Sequence, residues 1–77
     1  MGAVTVQRAF GQVLLEYREK SGLSQEKLAL AADLDRTYIS LLERGLRQPT
    51  LTTLFKIAEV LEIAPATMVA KTAAVVR

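Results

Sequence analysis

"QEKLALAADLDRTYISLLERG", Gln25 to Gly45, decides the fold. It divides at "DLD", Asp33 to Asp35, into two short helix-forming runs. The first, Gln25 to Ala32, is rich in alanine, and its small residues permit close approach of a neighbouring helix. The second, Arg36 to Arg44, has Leu34 just ahead of it and carries Ile39 and Leu42 at helical spacing. Arg36, Thr37 and Tyr38 crowd its start. A helix that only fills a core has no need of that polar cluster, and one that only faces water has no need of the leucines. Asp33 tolerates the left-handed turn conformation better than most residues. Asp35 can cap the second helix with its carboxylate near the positive helix end, and Gly45 ends it.

Working outward, Val6, Phe10, Val13, Leu14 and Tyr17 recur at three- and four-residue steps and predict a helix from about Thr5 to Lys20. "SGLS" stops it, with Gly22 suited to the left-handed position past a helix and Ser24 to the next N-cap. Beyond Gly45, "LRQPT" reads as a loop. Pro49 discourages helix at Gln48, and Thr50 caps a fourth helix reaching about Leu61. Its apolar stripe is Leu51, Leu54, Ala58 and Leu61. "APAT" opens a fifth helix, with Pro65 in its first turn. How far this helix runs through "MVAKTAAVVR" is left open, because Val69, Val75 and Val76 are mediocre helix formers. Five helices and no strands make an all-α bundle, a single domain over residues 1–77.

Composition narrows the chemistry. A chain of 77 residues is at the size where only about 60% of the unfolded surface is buried, yet 51% of this one is apolar. A subunit interface would use the surplus. There is no cysteine and no histidine, so disulfides, the usual zinc sets and a histidine general base are excluded. No metal or cofactor is expected, and an enzyme is not. The net charge of +2 is weak as a whole, but between Arg36 and Lys56 four basic residues face one acid, Glu43. No apolar run approaches the ~18–20 residues needed to span a membrane, and "MGAVTVQRAFGQ" does not read as a signal peptide. The expectation is a cytoplasmic protein with no membrane partner.

Two helices around a three-residue turn are by themselves a weak sign, since many bundles contain such a pair. The individual positions add to it. Ala29 lies four residues after Gln25, where the two helices must cross closely. Ile39 and Leu42 bury the second helix, which turns Arg36, Thr37, Ser40, Leu41 and Arg44 away from the core. With "GLSQ", "LA", "YIS", "ERG", "P" and "KIAEVLEI" at their spacings, the stretch Leu14 to Pro65 resembles the lambda-repressor/Cro-like, or XRE-type, helix-turn-helix DNA-binding family. The wording "DRTYIS…ERG" is particularly similar to controller proteins of restriction–modification systems. Two positions depart from the family pattern: Asp33 where glycine is frequent, and Ala64 where a capping serine or aspartate is usual.

The resemblance implies a compact five-helix lambda-repressor-like domain, with a family-like core over residues 10–68 and the helix-turn-helix over 25–44. It implies double-stranded DNA as partner, with Arg36 to Arg44 as recognition helix in the major groove. A groove about 12 Å wide admits a helix, whose N-terminal residues reach the base edges. Arg36, Thr37, Ser40 and Leu41 are the candidate base contacts. For Arg36 a phosphate contact is the alternative, and for Thr37 a role in the helix's first turn. Gln25, Tyr38, Arg44, Arg47, Gln48 and Thr50 are candidate phosphate contacts. For Tyr38, packing of the ring onto the core competes with that role. Arg18 and Glu43 match a salt bridge joining the first and third helices. The resemblance further implies a homodimer through the fourth and fifth helices, for which Leu61, Ile63, Met68 and Val69 are the candidates, with a palindromic operator. Control by concentration and dimerisation, without a small-molecule ligand, is expected. The competing reading is a helical protein–protein adaptor, or an antitoxin-type partner-binding module, that keeps the fold without reading DNA.

Overall fold

The computed structural model describes residues 3–76; Met1, Gly2 and Arg77 lie outside the described residues. Five helices follow in order: α1 Val6–Lys20, α2 Gln25–Ala32, α3 Arg36–Glu43, α4 Leu51–Leu61 and α5 Pro65–Val75. Four of them begin on a side chain that caps the first turn. The hydroxyl of Thr5 accepts from the N–H of Arg8, that of Ser24 from Lys27, and that of Thr50 from Thr53, while the Asp35 carboxylate accepts from Thr37. Each cap satisfies a donor that the first helical turn cannot. α5 has only Ala64 at this position, makes no side-chain cap, and relies on Pro65 in its first turn. Arg44, expected as the last residue of α3, is its C-cap.

The core is drawn from all five helices: Phe10, Val13 and Leu14, then Leu28 and Ala29, Ile39 and Leu42, Leu54, Ile57, Ala58 and Leu61, and finally Met68. α1 packs against α3 and α5, α2 against α3 and α4, and α4 against α5. Two expected core positions are on the surface. Val6 is exposed, and Leu51 is 75% exposed while Ile57 is fully buried. The buried stripe of α4 is therefore rotated from the expected one. α4 is apolar around much of its circumference, so spacing alone does not select its inner face.

α5 continues to Val75 despite its β-branched residues. Its inner side supplies the reason: Met68 and Thr72 are buried, and Val75 packs against the core. The Thr72 hydroxyl donates to the carbonyl of Met68 at 2.8 Å, so its buried oxygen is not left unpaired. Tertiary packing outweighs weak helix propensity in this segment. No helix among the described residues is long and apolar enough to cross a membrane.

Candidate nucleic-acid interface

α2 and α3 meet at the turn the sequence anticipates. Asp33 adopts φ 58° and ψ 49°, the left-handed conformation, and the N–H of Leu34 donates back to the carbonyl of Ala29 at 2.8 Å. Ile39 and Leu42 then fasten α3 to the core with no exposure at all. Arg36, Thr37 and Arg44 are exposed, while Ser40 and Leu41 are half-buried along the flanks of α3. The outward face of α3 is thus an arginine and a hydroxyl at its start, shading into apolar contact along its length.

The loop after α3 is tied to the first turn of that helix by Tyr38. Its hydroxyl donates to the carbonyl of Gln48 at 3.3 Å, and the Arg47 guanidinium lies 5.6 Å from the ring centroid. The ring also packs against the core. Tyr38 therefore does structural duty, and its single O–H donor is directed at the loop. Thr50 is similar: its hydroxyl caps α4 and lies 3.0 Å from Thr53 Oγ1, within hydrogen-bond reach. Arg47 and Gln48 are exposed beside this turn.

At the other end, Glu43 is the meeting point of three helices. Arg18 of α1 grips its carboxylate with two nitrogens, Nε to Oε2 at 2.5 Å and Nη2 to Oε1 at 3.1 Å. Arg18 Nη1 also donates to the carbonyl of Leu23 at 2.9 Å, clamping the turn between α1 and α2. The side chains are 13% and 5% exposed, so the pair is largely desolvated. The hydrogen bonds to Glu43 hold the Arg18 guanidinium above its ordinary arginine range, against the opposing pull of burial. Gln25, the first residue of α2, donates from Nε2 to Glu43 Oε1 at 2.8 Å. The sequence points to the Arg18–Glu43 pair but not to Gln25 as its third member. Gln25 and Glu43 stand 18 positions apart, and nothing local links them.

This arrangement sharpens the local charge. The one acid between Arg36 and Lys56 is Glu43, and it is buried against Arg18. Arg36, Arg44 and Arg47 form no salt bridge among the described residues. Asp33 and Asp35 remain exposed at the turn, the latter engaged as the cap of α3. A helix end bearing arginines with no paired acid, flanked by a loop arginine and the N-terminus of α2, suits an extended polyanion. No group of acidic residues among the described residues is placed to hold a metal ion.

The four residues expected at a subunit seam divide differently. Leu61 and Met68 are 6% and 0% exposed, core residues of this chain and not surface. Helical geometry turns them inward, where they pack with Ile57 and Ala58. Ile63 is half-buried just past the end of α4. Val69 is exposed, but lies in a small cleft of about 170 Å³ with Val6, Gln7, Pro49 and Thr72. Among the apolar surface that spacing did not assign to a seam are two neighbours on α4, Leu51 and Phe55, the latter 59% exposed. With Thr52, Lys56, Glu59 and Pro65 they line an open groove of about 590 Å³.

Residues 14–67 match a family described as Helix-turn-helix. The chain is 49% identical over 57 residues to control protein C.BamHI of Bacillus amyloliquefaciens, covering 73% of this chain and 70% of that protein. Among solved structures it resembles the restriction-modification controller protein C.AhdI from Aeromonas hydrophila, with 44% identity and a TM-score of 0.78 over 80% of this chain and 94% of that one. It also resembles SinR, described as the master regulator for biofilm formation and solved in complex with DNA, at 33% identity and TM-score 0.75 over 78% and 97% of the two chains.

Proposed function

This chain belongs to the helix-turn-helix family of XRE-type regulators, and from that membership we propose that it is a homodimeric transcriptional regulator of the controller-protein type that binds a palindromic operator. The family consists of DNA-binding regulators and not of enzymes. The observation that carries the reading to this chain is its basic face. The start of α3 displays Arg36 and Thr37, Tyr38 draws Arg47 and Gln48 alongside, and the only acid of that segment is buried against Arg18.

In this reading α3 enters the major groove with its N-terminal turn foremost. Arg36 reads a base edge, its fork matching O6 and N7 of guanine, with about 1–3 kcal/mol of discrimination against the wrong base. Thr37 and Ser40 permit close approach, and Leu41 offers apolar contact to a thymine methyl. Arg44, Arg47, Gln48 and Gln25 neutralise or hydrogen-bond phosphates and set the register. Tyr38 and Thr50, whose hydroxyls are engaged internally, support the phosphate contacts by holding the loop.

One such helix reads too few bases for a genome. A two-fold partner places a second helix about one DNA turn away and doubles the readout. The exposed face of α4 with Pro65 supports that assembly. Leu51 and Phe55 are apolar, and Lys56 and Glu59 beside them are charges of opposite sign, a combination that can pair with its own copy across a two-fold axis.

Selection of bound sequences from random duplexes tests the whole reading. The expected product is a symmetric site with half-sites about one turn apart. Arg36→Ala should relax preference at one symmetric base position. Arg47→Ala should weaken binding to all sequences alike and flatten the salt dependence by about one unit per subunit. Purified protein with no DNA affinity that falls with salt would overturn it.

A further inference from the structure

The hydrogen bond from Gln25 to Glu43 carries an inference that rests on the DNA-binding reading above. We propose that Glu43 is a positioning residue for the DNA backbone, acting through the Gln25 carboxamide. Glu43 itself is too buried to touch DNA. Its carboxylate oxygens can only accept, so the Gln25 nitrogen must face them, and a flipped amide would set oxygen against oxygen. Arg18 fixes the carboxylate with two further hydrogen bonds, so the acceptor that orients Gln25 is itself held in place. An amide nitrogen carries two N–H donors, and Glu43 takes one. The second is left for a phosphate at the mouth of α2, on a side chain whose orientation is set before DNA arrives. A long, flexible glutamine otherwise loses rotamer freedom on binding.

Simple charge counting makes the opposite prediction. Glu43→Gln removes one negative charge, and Coulomb attraction alone would then tighten DNA binding. The positioning role weakens it instead. The substituted side chain presents both an oxygen and an NH2 group, and two facing amides can pair in either sense, so the orientation of Gln25 is lost.

The experiment is a double-mutant cycle on operator affinity, with folding followed in parallel by circular dichroism. Glu43→Gln should weaken operator binding about tenfold per half-site, the equivalent of one hydrogen bond to a charged group in each subunit. In a Gln25→Ala background the same substitution should change affinity by less than about twofold, although its effect on stability persists. An undiminished loss in that background, or tighter binding in the single variant, overturns the proposal while leaving the DNA-binding reading intact. Wild-type protein with no salt-dependent DNA affinity overturns both.

Should Glu43→Gln fail to fold, the wild-type protein decides the matter by nuclear magnetic resonance. The chain has four glutamines, Gln7, Gln12, Gln25 and Gln48, and no asparagine, so its side-chain amide spectrum is four pairs. Gln25→Ala identifies one of them. That pair should be displaced and exchange-protected in the free protein, and one of its two protons should shift further on adding operator. A Gln25 pair coincident with those of the exposed Gln12 and Gln48 overturns the proposal.

Discussion

Gly11 shows how a single residue sets the geometry on which the interface depends. It lies in the middle of α1, where glycine ordinarily costs about 1 kcal/mol of helix stability relative to alanine. A Cβ at this position would sit 2.6 Å from the carbonyl oxygens of both Leu42 and Glu43. The α1 backbone therefore rests directly on the last turn of α3, the turn that carries Glu43 to Arg18. Substituting alanine gains helix propensity and introduces a clash with backbone atoms that cannot rotate away. The clash wins, because overpacking a tight site costs about 1–3 kcal/mol and here both obstructing atoms are main chain. Gly11→Ala should lower stability by about 2 kcal/mol, or roughly 10 °C in Tm for a domain of this size. Thermal unfolding against the neighbouring exposed-site variant Gln12→Ala, which should be near neutral, checks it. Arg18 and Glu43 stand at the same crossing, and removing either partner strands a charge that is nearly out of water, a loss of about 3–5 kcal/mol. With the Arg18 pKa raised in the fold, the contribution of that group is present at all pH values below the ordinary arginine range and is lost only above it.

At the scale of the element, four of the five helices stop in the same way. Just past each helix end stands a residue with positive φ: Gly22 at 73°, Asp33 at 58°, Gly45 at 75° and Glu62 at 60°. The next residue, Leu23, Leu34, Leu46 or Ile63, donates its N–H back to a carbonyl five residues earlier. This stop satisfies carbonyls the helix leaves open, and in three of the four the apolar residue, Leu23, Leu34 or Ile63, also packs against the core. Glu62 is the least suited of the four to its conformation, since a left-handed residue with a Cβ costs about 1–2 kcal/mol. Glu62→Gly should stabilise the fold by about 0.5–1 kcal/mol after the greater unfolded-state freedom of glycine is set against it. Asp33→Gly should gain less, because a short polar side chain tolerates that conformation. The urea midpoints of the two variants check the order, and a loss of stability in Glu62→Gly would show that the left-handed strain is not what limits this turn. These stops explain why the helix limits are legible in the sequence: Ser24, Asp35, Thr50, Gly22, Gly45 and Pro65 mark them locally. The inner face of α4 is not legible, because Leu51, Leu54, Phe55, Ile57, Ala58 and Leu61 allow more than one stripe, and only packing against α2 and α5 selects one. The candidate site divides the same way. Arg36, Thr37 and Arg47 follow from their places on a helix start and a loop, whereas the engagement of Gln25 by Glu43 and the contact of Gly11 with α3 exist only once distant segments meet.

For the whole molecule, the proposed dimer poses the question of which surface a second subunit would cover. The core already takes Leu61 and Met68, so any seam must use what the fold leaves outside. Leu51 and Phe55 are neighbours one turn apart on α4, and together with Pro65 they make a continuous apolar face beside Lys56 and Glu59. A two-fold axis through this face brings each Phe55 near its own copy. A charge placed there becomes two like charges facing each other in a partly desolvated seam, which doubles the penalty of a single substitution. On the dimer proposed above, the wild type should sediment as a dimer, and Phe55→Lys should give a monomer at the same concentration. Its thermal unfolding, extrapolated to low concentration, should change little, since Phe55 makes no part of the core. Operator binding should weaken strongly and become steeper in protein concentration, because two monomers must then assemble on the DNA. Binding to a single half-site should gain, if it changes at all, from the added positive charge. Val69→Lys is the matched comparison, exposed on α5 in the smaller cleft beside Val6 and Pro49. It should leave the sedimenting mass unchanged. The reverse pattern, a monomer from Val69→Lys and a dimer from Phe55→Lys, would move the seam to the α1–α5 side and require the two recognition helices to be spaced anew.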